Sequence, residues 1–227
     1  MLMKIKESNR LINFCEYEDS LYLTGYDLIA GVDEVGRGAL AGPIVAAAVI
    51  LQRNSIFMEG INDSKKISSK KREELFKKII DNCICYSIAK AGSRKIDEIS
   101  LGKANIAVFE NAISNLETAP QIVLSDALSV QKSAAPVLPI IKGDELSISI
   151  AAASIIAKVT RDRIMEKFDL IYSQYGFKNN KGYGTKKHFE CIKKYGPCAI
   201  HRLSFRGVLS NRDNIKTQWK FVIINFL

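Results

Sequence analysis

Three apolar runs in this chain lead into an acidic residue: Leu28 to Val32 into Asp33, Gln121 to Ser125 into Asp126, and Pro136 to Ile141 through Lys142-Gly143 into Asp144. Runs of this length bounded by turn residues read as buried strands. Carboxyl ends of neighbouring strands in an α/β sheet converge on one crevice, so acids repeated at strand ends gather charge in one place. Another almost continuously apolar run, Pro43 to Leu51, and an alternating one, Ile84 to Ala91, add two strands to the expected sheet.

Helices are expected between them. Leu75, Phe76, Ile79 and Ile80 predict a helix from Ser68 to Asp81, with Ser68 or Ser69 as its N-cap. A longer helix is expected from Ile96 to Leu116, burying Leu101, Ile106, Val108, Phe109, Ala112, Ile113 and Leu116, with Pro120 preventing its continuation. Ser147 to Tyr172 reads as another, and its small residues from Ala151 to Ser154 suit close packing on a sheet. Its later half, with Lys158, Arg161, Asp162, Arg163, Glu166 and Lys167, reads as a solvated face or one turned toward a phosphate backbone. Residues 1–27 suggest a short amphipathic helix leading in, and the composition turns basic and loop-like from Phe177. The apolar close from Trp219 to Leu227 suits docking, fraying or a partner peptide.

A chain of 227 residues accommodates one large domain or a domain with a small appendage. Hydrophobic residues at 47% and charged residues at 25% exclude wholesale disorder and fibrous repeats. Thirty-three Lys and Arg against 24 Asp and Glu leave a net charge of +9, which favours a polyanionic partner. The five cysteines lack paired C-x-x-C spacing, so free thiols in a reducing cytoplasm fit better than disulfides or structural zinc. Cys83 and Cys85 alternate along a strand and read as small packing residues. The amino terminus is too polar for a signal peptide, and no stretch approaches the roughly 20 apolar residues of a membrane span. No membrane and no obligate protein partner are expected.

Asp33, Glu34, Asp126 and Asp144 form an all-oxygen set suited to Mg²⁺ or Mn²⁺, and four carboxylates suffice to hold the two ions of a phosphodiester-cleaving centre. Adjacent side chains of a regular strand point to opposite faces, so the strand is expected to end at Asp33. Glu34 would then enter from the turn or contribute its backbone carbonyl. Gly36-Arg37-Gly38 sets one fixed cation between residues that let backbone approach a sugar or phosphate oxygen. Tyr183, between Gly182 and Gly184 and amid lysines, can pack its ring on a sugar or base or sit half-buried as an ordinary tyrosine. His201 reads as a structural hydrogen-bonding residue rather than a base.

From about Ile29 to Val208 the chain closely resembles the bacterial type 2 ribonucleases H, the ribonuclease HII family. The resemblance is carried in order by G-V-D-E-V-G-R-G-A-L-A-G-P, N-D-S-K-K, K-G-D, A-A-A-S-I-I-A-K-V-T-R-D-R, K-G-Y-G-T-K-K-H and H-R-L-S-F. It implies an α/β fold: an RNase H-like mixed sheet flanked by helices over residues 1–175, with a small helical appendage and tail over 176–227. It also implies endonucleolytic hydrolysis on the 5′ side of ribonucleotides, in RNA/DNA hybrids and in DNA with embedded ribonucleotides, leaving 3′-hydroxyl and 5′-phosphate ends.

The family's acidic quartet falls on Asp33, Glu34, Asp126 and Asp144, implying two divalent ions there. The resemblance assigns Gly36, Arg37 and Gly38 to the ribose 2′-hydroxyl and its phosphate, Tyr183 to the RNA–DNA junction, and Lys65 to a phosphate-contacting loop. Discrimination would rest on the 2′-hydroxyl, the group that separates ribose from deoxyribose. Ala127 stands where the family commonly has a glycine after the aspartate. The competing readings are an RNase H-like nuclease acting on DNA duplexes or junctions, and a non-catalytic duplex-binding protein. The latter is disfavoured because converging acids repel phosphates unless metal intervenes.

Overall fold

A computed structural model of the chain describes residues 13–53, 60–61, 64 and 67–209. The expectations for residues 1–12, Lys65 and the tail from 210 lie outside the described residues. Strands β1 (Ile29–Val35), β2 (Ile44–Leu51), β3 (Cys83–Ala91), β4 (Ile122–Asp126) and β5 (Val137–Ile140) form one mixed sheet in the order β3-β2-β1-β4-β5. β1 runs antiparallel to β2 and parallel to β4, which runs parallel to β5. Helices α1 (Glu16–Leu23), α2 (Ser69–Asn82), α3 (Ser93–Ile99), α4 (Leu101–Ser114), α5 (Gly143–Leu146), α6 (Ile148–Ile171), α7 (Phe177–Asn180) and α8 (Lys186–Tyr195) accompany it.

The strand residues explain this order. Every residue of β2 is buried, as expected of a strand covered on both faces. β3 alternates, with Cys85, Ser87 and Ala89 buried, so Cys83 and Cys85 do share a face. All five cysteines are free, and burial pushes the Cys83 thiol up to about 11. The start of α6 approaches β1 so closely that a Cβ on Gly31 would run into the Ser149 main chain. Ala151, Ala152 and Ala153 are fully buried, so the small-residue run serves the close packing it suggested. Ser68 caps α2, its hydroxyl accepting the Lys71 N–H.

Three sequence expectations change. β1 does not stop at Asp33 but runs on to Val35, because its pairing with β2 continues regularly through Asp33↔Ala47, Glu34↔Ala46 and Val35↔Val45. The single helix expected from Ile96 to Leu116 is two helices, broken at Ser100, whose φ of 81° lies outside the helical range. Within the second of these helices, Ile106 and Val108 are two residues apart and cannot share one face. The structure buries Val108, Phe109, Ala112 and Ile113 and leaves Ile106 exposed. Arg161, read as a solvated or phosphate-facing residue, is completely buried.

The chain forms two compact units. One draws on residues up to Val35, on Val45–Lys90 and on Asn105–Thr160, and has a core that includes Ile29, Ile122, Leu124, Ile140 and Ile150. The other draws on Gly36–Ile44, on Ala91–Ala104 and on residues from Arg161 onward. Its core includes Leu40, Met165, Tyr175, Phe177, Ile192 and Leu203. Among the described residues, no helix is long and apolar enough to cross a membrane.

Candidate active site

In the first unit the parallel register aligns Val32 with Ser125, so the next residue of each strand, Asp33 and Asp126, brings its carboxylate to the same level. Asp144 arrives from α5, one turn past β5, after a left-handed Lys142 (φ 58°) redirects the chain. One carboxylate oxygen from each of Asp33, Asp126 and Asp144 lies within 4.8 Å of the others. Asp126 is held by the Gly143 N–H, which donates to its Oδ1 at 2.8 Å. Ser154 donates to the Asp33 carboxylate and meets the Ser64 hydroxyl at 2.9 Å.

Asp33 is buried, at 4% exposure. Burial raises its pKa well above the ordinary carboxylate value, and the charges of Glu34 and Asp126 raise it further. The Ser154 and Glu34 hydrogen bonds oppose that rise only in part. A cluster of desolvated, mutually repelling carboxylates is a poor way to stabilise a fold but a good way to hold a hard cation. The donors are all oxygens, as Mg²⁺ or Mn²⁺ requires, and no histidine or thiol is among them.

Glu34 is not one of the three converging acids. The unbroken strand gives the reason, since consecutive side chains alternate faces. Its N–H donates to Asp33 Oδ1 at 2.6 Å, and its charge reaches Asp33. The structure thus brings together three of the expected acids and sets the fourth next to Asp33 on β1.

The other recognition candidates belong to the second unit. Gly36 is buried with φ of 96°, and a Cβ there would run into the Arg161 guanidinium. Arg37 and Gly38 are exposed, and a Cβ on Gly38 would meet nothing within 4 Å. Residues 39–41 are held against residues 182–183 by an Ala39↔Tyr183 bridge and by the Leu40 N–H, which donates to the Gly182 carbonyl at 2.8 Å. Tyr183 is half-buried, with the Arg161 guanidinium 5.3 Å from its ring centre.

Two buried arginines brace this region. Arg161 donates from Nε to the Pro43 carbonyl (2.9 Å), from Nη2 to Ala41 (3.2 Å) and from Nη1 to Lys181 (2.8 Å). Arg202 donates from Nε and Nη2 to the Gly42 carbonyl (3.1 and 3.0 Å) and from Nη1 to Arg37 (2.8 Å). Sequence reasoning gave neither arginine this place. The signal for Arg161 was its helical spacing, one turn before the buried Met165 and one turn after the buried Ala157. No comparable signal marks Arg202, which follows an isolated bridge between Ala41 and His201.

The two histidines form a hydrogen-bonded relay. The Cys198 N–H donates to His201 Nδ1 at 2.9 Å, which places the His201 proton on Nε2. Nε2 therefore donates to His188 Nε2 at 3.0 Å, and His188 Nδ1 donates to the Tyr183 carbonyl at 2.9 Å. Both rings are neutral, since burial lowers their pKa values, that of His201 to about 4. His201 is the structural hydrogen-bonding residue expected, and His188 was not foreseen.

Comparison with known proteins adds an independent line. The family model for Ribonuclease HII matches residues 30–208. The Ribonuclease HII of Acetivibrio thermocellus is 51% identical over 200 residues, covering 88% of this chain and 78% of that protein. That of Caldicellulosiruptor bescii is 50% identical over 199 residues, covering 87% and 96%. Among solved structures, the ribonuclease H2 from Pyrococcus horikoshii OT3 superposes with a TM-score of 0.69 at 30% identity, covering 85% of this chain and 98% of that one. A Bst-RNase HIII determined in complex with Mn²⁺ shares the fold, with a TM-score of 0.66 at 20% identity over 88% of this chain and 72% of its own.

Proposed function

Because the chain belongs to the ribonuclease HII family, we propose that it cuts the phosphodiester on the 5′ side of ribonucleotides, in RNA/DNA hybrids and in duplex DNA with embedded ribonucleotides. Membership makes it a metal-dependent endoribonuclease of the ribonuclease H class. The observation that carries the finer reading is the meeting of Asp33, Asp126 and Asp144 from three separate segments of the chain.

In this reading Asp33, Asp126 and Asp144 are the side-chain ligands of two Mg²⁺ or Mn²⁺ ions, and Glu34 is the fourth acid, its charge next to Asp33. Divalent cations bound there supply Lewis-acid charge at the scissile phosphate and a nucleophile at neutral pH. The protein's own part is orientation: Ser154, itself bonded to the Ser64 hydroxyl, holds Asp33, and the Gly143 N–H holds Asp126. Gly36, Arg37 and Gly38 contact the ribose 2′-hydroxyl and its phosphate. Gly38 supports that role, because the protein itself leaves room for a side chain that the sequence does not use. Tyr183 packs at the RNA–DNA junction, Lys65 contacts phosphate, and the +9 net charge holds the duplex. A cytoplasmic site of action belongs to the same proposal.

The deciding experiment compares cleavage of matched duplexes with and without one ribonucleotide while Mg²⁺ or Mn²⁺ is titrated. Metal-dependent cutting confined to the ribonucleotide strand is expected. Equal cutting of both duplexes would favour a general RNase H-like nuclease, and metal-independent binding without cleavage would favour a non-catalytic duplex-binding protein.

A further inference from the structure

Arg161 and Arg202 are both fully buried, and all six of the guanidinium hydrogen bonds described above end on main-chain carbonyls rather than carboxylates. Burying a cation this way costs more than burying an apolar side chain of similar size, so core packing alone does not account for the pair. Their bonding partners do. The carbonyls belong to Arg37, Ala41, Gly42 and Pro43 on one segment and Lys181 on another, the segments that carry the glycine-flanked arginine and Tyr183.

A guanidinium has five N–H donors in one rigid plane, so bonding to several carbonyls fixes their relative positions; a lysine ammonium cannot do this. Arg161 spans both segments, lies by the Tyr183 ring and occupies the space that a side chain on Gly36 would need. Arg202 anchors both sides of the turn, at Arg37 and at Gly42. Burial and the neighbouring Arg161 lower the Arg202 pKa to about 9, still above neutral, so the Arg202 guanidinium stays charged.

We propose that Arg161 and Arg202 are positioning residues for ribonucleotide recognition, clasping the Gly36–Gly38 turn and Tyr183 into the one arrangement that reads a ribose at an RNA–DNA junction. This rests on the reading of those two segments as substrate-contacting. Neither arginine touches the reacting atoms; each acts through the backbone it holds.

Arg161→Lys and Arg202→Lys keep the charge and lose the fork. In steady-state cleavage of a duplex with one ribonucleotide, each raises KM or lowers kcat/KM by about tenfold to a hundredfold, as expected for a displaced binding loop. Mn²⁺ affinity measured by calorimetry stays at the wild-type value, because the acids lie in the other unit. Active-site titration corrects the rates for any unfolded fraction. In a double-mutant cycle, Arg161→Lys adds little once Tyr183→Ala is present, whereas a purely structural arginine gives additive losses.

Wild-type kinetics in both lysine variants, or additivity with Tyr183→Ala, overturns the proposal. If instead Tyr183→Ala and Gly38→Ala themselves leave single-ribonucleotide cleavage unchanged, the reading of those segments fails, and the clasp has nothing to position.

Discussion

The acid cluster and the arginine-braced loop solve opposite electrostatic problems. Asp33, Asp126 and Asp144 bring like charges together, two of them buried, and burial and repulsion raise the Asp33 pKa. In the second unit, the carbonyls of residues 37 and 41–43 are met by guanidinium donors, and two neutral histidines pass hydrogen bonds in one direction to Tyr183. The first region gathers repelling charge that a bound cation would offset, and the second meets its carbonyls with the protein's own donors. Substitution should therefore separate function from stability in the first region and link them in the second.

The largest expected effect tests the first half of that contrast. Asp33→Asn or Asp126→Asn should lower turnover by on the order of a thousandfold, through loss of a hard-cation ligand. Thermal melting without metal should be unchanged or slightly raised, because a repelling charge is gone. Adding Mn²⁺ should raise the melting temperature of the wild type but not of a variant carrying both Asp33→Asn and Asp126→Asn, since only a bound ligand stabilises the native state. Near-normal turnover in either single variant would break the metal assignment.

Arg202→Met should behave in the opposite way. It leaves the Gly42 and Arg37 carbonyls without their donors and should destabilise the fold by about 3 kcal/mol in urea unfolding, with activity falling alongside. Loss of activity without loss of stability would erase the distinction between the two regions.

The histidine relay sharpens the comparison through pH. The folded-state pKa of His201, about 4, lies below its unfolded value near 6.5, so the unfolded chain binds more protons between those limits. The relay's contribution is complete above about pH 6.5 and is lost as pH falls toward 4, about 3 kcal/mol in all. Urea unfolding at several pH values should show this loss in the wild type and a smaller one in His201→Gln.

The smallest effect concerns the residue after Asp126. Ala127 is held at φ of 53°, in the left-handed region where a Cβ is unfavourable. Ala127→Gly should stabilise the protein by about 0.5–1 kcal/mol, measured by thermal melting. No gain would mean that the chain around Asp126 already absorbs the strain.

Much of the fold and part of the site were legible in the residues. β2 and β4 could be read from unbroken apolar runs, the α2 cap from Ser68, and the packing of α6 from its alanine run. Asp33, Asp126 and Asp144 were legible because a strand end is a local signal repeated three times. The break at Ser100 was masked because apolar residues continue on both sides of it and only their phase changes. The burial of Arg161 was masked because charge outweighs spacing when a helix face is read.

The sequence by itself determined which chemistry was available: oxygen ligands for a hard cation, a glycine-flanked arginine, an aromatic ring on a loop and a basic surface. These are properties of residue types and short spacings, carried in the linear chain. Only the tertiary structure decided which groups meet. The β1/β4 register sets Asp33 beside Asp126, strand continuity to Val35 keeps Glu34 out of the converging trio, and Arg161 is paired with carbonyls 118 and 120 residues earlier in the chain. Such pairings are settled by packing and by the need to satisfy every buried polar group, neither of which a local window of residues contains.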